Sequence, residues 1–279
     1  MKILIIGNGY LGTRCKQVWG EQAVLSDKMI NNVEDVLKIL DEHNPDVVLN
    51  AAGIVGKPNV DWCETHQMET IEGNTILPII IAKACQQKGV YLLHMGTGCV
   101  FYGEMDDPKG WKESDFANPS AVYTRSKYAA DLVLTTLPNI GIARIRMPID
   151  YTPAPANLIT KLASYKKVID VENSVTIVDD MISVFHQLLE KRAAGIFHVT
   201  NPGTIKHRDI IKMYEDIVDP NHINEWIEED DLVKIGLAAK KRSNNFLQSD
   251  NLNALGIHMR PVKEALKDTM EKYKELKNK

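Results

Sequence analysis

No apolar stretch in this 279-residue chain approaches the ~20 residues that a membrane-spanning helix needs; runs such as Leu77–Ala82 are far shorter. A secretory leader is not expected either, because Lys2-Ile-Leu-Ile-Ile-Gly7 is too short and leads straight into glycine turns. Cysteine is scarce. Cys15, Cys63, Cys85 and Cys99 form no CxxC pair, which argues against a disulfide framework or a zinc site, so no metal is expected. Charge of one sign is lacking as well: 33 basic against 37 acidic residues gives −4, too near neutral for electrostatic binding of nucleic acid. With 44% hydrophobic and 25% charged residues, disorder, collagen and coiled coil are excluded as the main architecture. The expectation is a soluble, cytoplasmic, globular protein with no membrane or nucleic-acid partner.

At roughly 150 residues per domain, the length allows one to two domains. Apolar strands alternate with helical patterns through the first two-thirds of the chain. Strands are expected at Lys2–Ile6, Ala23–Ser26, Asp46–Asn50, Val90–His94, Ile140–Arg146 and Ile196–Val199. Helices are expected at Leu11–Trp19, Asn32–Glu42, Thr70–Gln87, Tyr123–Leu137 and Val178–Lys191. Short connections between them imply an α/β fold, a Rossmann-type doubly wound parallel sheet covered on both faces. After Asn201-Pro-Gly203 the pattern turns helical, ending in a Lys/Glu-rich helix from Pro261 that reads as a solvated face. Residues 1–146 and 166–200 are therefore assigned to a dinucleotide-binding domain, and 147–165 and 201–279 to a small C-terminal substrate-binding lobe.

Gly7-Asn-Gly9-Tyr10-Leu11-Gly12 is G-x-G-x-x-G between a strand and a helix. Gly7 permits the tight turn, Gly9 lets the backbone approach a pyrophosphate, and Gly12 allows close helix–strand packing. The helix N-terminus opened by Tyr10 and Leu11 then offers free N–H groups to phosphate. About 20 residues on, an acidic residue is expected at the adenosine ribose. Asp27 is the nearest candidate, yet Lys28 and Arg14 are cations that would suit a 2′-phosphate. The balance favours NADPH, with NADH as the alternative.

Tyr123-Thr-Arg-Ser-Lys127 puts a phenol and an ammonium on one helix face. A phenol of pKa ~10 transfers protons poorly near neutrality, and a neighbouring cation would lower that value. At this point the chain resembles the extended short-chain dehydrogenase/reductase family, through Gly7–Gly12, Asn50-Ala51-Ala52-Gly53, Thr97 and Tyr123/Lys127 in the expected order. The departure is in the turn, one residue shorter than the family's usual G-x-x-G-x-x-G. The resemblance implies that Ala51, Ala52 and Gly53 border the cofactor and that Thr97 binds the substrate carbonyl. It also matches Asn74 to the family's structural asparagine on the long helix, taken here with the substrate-binding set.

Longer motifs narrow the resemblance. Gly56–Glu64, Gly96-Thr-Gly-Cys-Val-Phe101, Arg144–Ile149, Leu158-Ile-Thr-Lys-Leu162, Thr200–Gly203 and Arg242-Ser-Asn-Asn245 are similar to the UDP-4-keto-6-deoxyglucose 3,5-epimerase/4-reductases. That implies a bifunctional enzyme acting on a nucleotide sugar, with Cys99 and Lys161 as the epimerising acid/base pair and Tyr123, Lys127 and Thr97 serving reduction. As bare residues, Cys99 reads as a small buried hydrophobe and Lys161 as a surface cation. Arg242, Asn244 and Asn245 suit a diphosphate or uridine contact, with a solvated loop as the alternative. Cys63 reads as packing, Asp61 and Glu64 as shaping the substrate mouth, His94 as a satisfied core histidine, and Glu113 and Asp115 as a polar loop. Two rivals remain open: a plain 4-ketoreductase of the dTDP-4-dehydrorhamnose reductase type, and a non-catalytic dinucleotide-binding subunit. A homodimer is compatible with either reading.

Overall fold

The computed structural model describes residues 1–57, 59–103, 105–240 and 242–277. Pro58, inside the Gly56–Glu64 motif, lies outside them. In chain order the elements are β1 Ile3–Ile6, α1 Tyr10–Trp19, β2 Ala23–Ser26, α2 Val33–His43, β3 Val47–Asn50, α3 Gln67–Ile71, α4 Leu77–Lys88, β4 Tyr91–Thr97, α5 Val122–Leu134 and β5 Ile140–Ile145. They continue with β6 Pro148–Ile149, α6 Leu158–Ser164, β7 Lys167–Ile169, β8 Glu172–Asn173, β9 Thr176–Ile177, α7 Val178–Lys191 and β10 Gly195–Val199. The last are β11 Ile205–Lys206, α8 His207–Ile217, β12 Glu225–Ile227, α9 Glu229–Lys234, α10 Asp250–Ala254 and α11 Val262–Lys277.

Six strands form one parallel sheet in the order β10-β5-β4-β3-β1-β2. Ile3 pairs with Ala23 on one side and Val47 on the other, and Val47 pairs in turn with Tyr91. β1, β3 and β4 are buried along their whole length, as expected of parallel strands covered on both faces. Leu4, Ile6, Val48 and Leu92 pack with Val36, Ile39, Leu40, Ile81 and Cys85 from the helices. Local chemistry sets the ends. The Asn32 side chain accepts from the Asp35 N–H to start α2, and Gly89 closes α4 in the left-handed conformation.

The chain divides into two compact units, residues 1–100, 117–144 and 182–197 in one, and 101–116, 145–181 and 198–279 in the other. Segments 101–116 and 166–181 thus go with the second unit, where the sequence reading had put them in the first. The second unit has its own core, in which Ile149, Ile159, Val175 and Ile177 pack with Ile210, Tyr214, Leu266 and Met270. It also holds three two-stranded pairs, β11-β8, β12-β7 and β6-β9. Strands of two or three residues leave no alternation to read, so the sequence reading missed them. No helix among the described residues is long and apolar enough to cross a membrane.

The expected single helix Thr70–Gln87 is instead α3, a π-helical turn over Glu72–Ile76, and α4. Such turns carry one residue more than the α-helical repeat and are often found at functional sites. This one is centred on Asn74.

Candidate active site

The order β2-β1-β3 makes the space beyond the carboxyl ends of β1 and β3 the switch point of the sheet, where open α/β sheets bind ligands. Gly7 follows β1 with φ +109°, and a Cβ there would stand 2.4 Å from the Ala52 backbone nitrogen. A Cβ on Gly12 would stand 2.1 Å from the Gly7 carbonyl oxygen, so the turn and α1 close on each other only without side chains. A Cβ on Gly9 would meet nothing within 4 Å. Gly7 and Gly12 shape the cradle, and Gly9 faces open space that a pyrophosphate can enter. The residues fit a dinucleotide.

The two cations expected to suit a 2′-phosphate are already engaged. Lys28 is ion-paired with Glu42, and the Nη1 of the buried Arg14 donates to Gln17 Oε1 at 3.0 Å. Asp27, at the end of β2, is exposed.

Asn50 ends β3 and organises the loop beyond it. Its Oδ1 accepts the Ala52 N–H at 3.0 Å, and its Nδ2 donates to His94 Nδ1 at 3.0 Å. His94 is fully buried and its Nε2 makes no hydrogen bond, so the expected satisfied core histidine is satisfied on one nitrogen only. Burial, helped by Lys127, holds His94 well below the usual imidazole range.

α5 carries Tyr123 and Lys127, and its start is capped from a distance. Glu64 Oε1 accepts the Val122 N–H at 2.8 Å, whereas Ala121 at the N-cap offers no side-chain acceptor. Glu64, expected at the substrate mouth, therefore serves the helix that bears the phenol. The Tyr123 phenol is half-buried on α5, near the Thr97 side chain at the end of β4. Burial drives the phenol's pKa up and Cys99 adds to this, while Thr97 opposes it. The expected depression of the phenol is thus reversed, and Tyr123 stands protonated near neutrality. Lys127 is buried too, its Nζ donating to the Met95 carbonyl at 3.0 Å, and burial lowers its pKa to about 8. Gly53 lies against it, since a Cβ there would sit 3.3 Å from Lys127 Nζ.

Asn74 is fully buried. Its Oδ1 accepts the Ile54 N–H at 2.9 Å, and its Nδ2 donates to the Ile54 carbonyl at 2.8 Å and to Ser126 Oγ at 3.3 Å. It ties the π-helical turn to the Ala51–Ile54 loop and to α5.

Cys99 is partly buried, and its N–H donates to Thr97 Oγ1 at 3.2 Å. Cys63 is buried, and burial pushes its thiol up. The four cysteines form no disulfide with one another. Lys161, on α6 of the second unit, is partly buried and its pKa is lowered by that burial. In the same unit Asn245 is buried, with its N–H on Asn173 Oδ1 at 3.0 Å and its Nδ2 on the Phe101 carbonyl at 2.9 Å. Asn244 accepts from Asn173 Nδ2 at 3.1 Å and donates to Glu229 Oε1 at 2.6 Å. These bonds knit the strand-like segment to β8, and Arg242 beside them is partly buried. Glu113, in the expected loop, is buried there and accepts the His198 N–H at 3.1 Å.

Sheet order, an open glycine cradle and a Tyr-x-x-x-Lys helix set against one strand end define the class: NAD(P)-dependent oxidoreductases with a short-chain dehydrogenase/reductase-like fold. Within that class, the chain belongs to the RmlD substrate binding domain family, which it matches over residues 1–275. It is 34% identical to a bifunctional dTDP-4-dehydrorhamnose 3,5-epimerase/dTDP-4-dehydrorhamnose reductase of Arabidopsis thaliana, over 92% of this chain and 87% of that one. It is 31% identical to a trifunctional UDP-glucose 4,6-dehydratase/UDP-4-keto-6-deoxy-D-glucose 3,5-epimerase/UDP-4-keto-L-rhamnose-reductase of the same plant. There the match covers 95% of this chain but only 41% of the larger protein. The crystal structure of the UDP-rhamnose synthase of Acanthamoeba polyphaga mimivirus superposes with a TM-score of 0.90 at 30% identity, covering 98% of this chain and 99% of that one. A dTDP-4-dehydrorhamnose reductase of Bacillus anthracis, solved with NADP, shares the fold at 22% identity with a TM-score of 0.81, covering 96% and 98%.

Proposed function

We propose that this protein is an NADPH-dependent bifunctional 3,5-epimerase/4-ketoreductase that converts UDP-4-keto-6-deoxy-D-glucose to UDP-L-rhamnose in the cytoplasm. The observation that carries the reading is α5 itself, which sets the Tyr123 phenol, kept protonated by burial, one turn from Lys127, whose buried Nζ donates to the Met95 carbonyl of β4 at 3.0 Å. Gly7, Gly9, Tyr10, Leu11, Gly12, Asp27, Ala51, Ala52 and Gly53 would hold the dinucleotide, which when bound supplies the hydride for C4. Thr97 hydrogen-bonds the substrate carbonyl, Tyr123 gives a proton to O4, and Lys127 holds the ribose hydroxyls. Before reduction the C4 ketone acidifies the hydrogens at C3 and C5, so one ketone serves both activities. Cys99 and Lys161 move those protons, and the burial that lowers the Lys161 pKa brings its amine closer to neutral pH. Arg242, Asn244 and Asn245 are assigned to the nucleotide diphosphate.

The test is incubation with NADPH and UDP-4-keto-6-deoxyglucose, with the product identified by NMR. UDP-L-rhamnose is expected. A reduced but unepimerised sugar would leave a plain 4-ketoreductase, and NADPH binding without turnover would leave a dinucleotide-binding subunit.

A further inference from the structure

Tyr123, Lys127 and Asp131 recur every fourth residue along α5, on one face of the helix. The first two belong to the proposed chemistry; the third has no part in it. Asp131 is 1% exposed, and its Oδ2 accepts from Nε of the equally buried Arg144 on β5 at 2.8 Å. Its other oxygen, Oδ1, is buried and makes no hydrogen bond. β4 runs past this face: Met95 accepts from Lys127, and Gly96 lies over the ion pair. A Cβ on Gly96 would come within 3.3 Å of Arg144 Cγ and 3.4 Å of Asp131 Oδ1, so the missing side chain leaves room for the pair.

We propose that Asp131, held in place by Arg144, is a positioning residue whose carboxylate keeps Lys127 a cation in the dry interior and its Nζ fixed beside β4. A buried ion pair is seldom worth its desolvation as a stabilising device, and the free Oδ1 leaves this one with negative potential to spare. Burial lowers the Lys127 pKa, and Asp131 is the group that opposes it. Burial raises the Asp131 carboxyl in turn, while Arg144 and Lys127 pull it down. The groups that face or flank Lys127 are His94 on β4, neutral by burial, Arg144 on β5 beyond Asp131, and Tyr123 and Asp131 on its own helix. Asp131 is the anion among them.

The inference rests on Lys127 as the partner of phenol and ribose, and its test keeps the two apart. Lysine side chains of the protein alone are titrated by 15N NMR, with Lys127 assigned by the signal lost in Lys127→Met. In wild-type protein Lys127 is expected to titrate near pH 8. Asp131→Asn should lower that midpoint by about one unit or more, a tenfold change in proton affinity, and Asp131→Glu should restore most of it. The alkaline limb of the pH profile for keto-sugar reduction should move the same way. Because Asp131→Asn strands the buried guanidinium, the double variant Asp131→Asn/Arg144→Met is measured beside it and should show a fall in the same direction. An unchanged Lys127 midpoint in either folded variant overturns the inference. Full reductase activity in Lys127→Met would instead overturn the role of Lys127 and leave the titration result standing.

Discussion

The ammonium of Lys127 donates a 3.0 Å hydrogen bond to the carbonyl oxygen of Met95, which pins α5 to the strand that ends in Thr97. Lys127 is 6% exposed, so it holds its charge where water cannot solvate it. That arrangement costs stability, and a cation fixed against the loop at Gly53 suits the ribose-binding role proposed for it.

The cost can be measured. Burial lowers the Lys127 pKa from 10.5 to about 8, and that difference corresponds to roughly 3 kcal/mol of penalty for carrying the proton in the folded state. The folded pKa lies below the unfolded one, so the penalty is present in full below about pH 8 and fades toward the unfolded value, ~10.4. Lys127→Met is therefore expected to unfold at a higher urea concentration than wild type at pH 7, with the gain shrinking by pH 10. Equal or lower stability of the variant at pH 7 would contradict this.

Tyr123→Phe keeps the ring and removes only the hydroxyl that burial keeps protonated. Loss of a general acid of this kind lowers turnover ~10²–10⁴-fold, while the melting temperature should move little. Since burial raises the phenol's pKa, wild-type reduction should show no alkaline loss assignable to Tyr123 below pH 9. Near-wild-type reduction by the variant would remove Tyr123 from the chemistry.

The glycine turn separates two kinds of glycine. A Cβ on Gly12 collides with the Gly7 carbonyl at 2.1 Å, and one on Gly9 meets nothing. Gly12→Ala should therefore lower the melting temperature, because backbone must shift to admit the methyl. Gly9→Val should fold with near-wild-type stability and lose NADPH binding by filling the space a pyrophosphate enters. Calorimetry of binding and thermal melts on both variants check this; undiminished NADPH affinity in folded Gly9→Val would sink the cradle.

Much of this was legible in the sequence because period and punctuation agree. β2 and α7 have the expected bounds, and the other five expected strands deviate only at their ends, since buried parallel strands read as unbroken apolar runs bounded by glycine and asparagine. The break in the long helix was not legible, because the π-helical turn at Glu72–Ile76 arises from Asn74 bonding Ile54 and Ser126, partners far away in sequence. Glu64 capping α5 and Glu113 accepting from His198 are long-range pairings of the same sort. Asp131 carried a local signal, its four-residue spacing from Lys127, yet without Arg144 beside it that spacing reads as an ordinary helix pair.

The last expectation separates epimerisation from reduction. Inverting a carbon requires one group to remove a proton from one face and another to deliver one to the opposite face. A thiol of pKa ~8.5 and an ammonium of ~10.4 match neutral pH poorly on their own. Burial already lowers the Lys161 pKa, which brings its amine toward the range where it exchanges protons at neutral pH. Cys99→Ser keeps the size and raises the pKa of the reacting group; Lys161→Met keeps the stem and removes the charge. Both variants should bind NADPH as wild type does and should lose deuterium uptake at C3 and C5 from D₂O. Their product should be a reduced sugar that is unepimerised or only singly epimerised, because Tyr123 and Thr97 are untouched. Should both variants exchange the C3 and C5 hydrogens at the wild-type rate, Cys99 and Lys161 are not the epimerising pair, and a plain 4-ketoreductase becomes the better reading of this site.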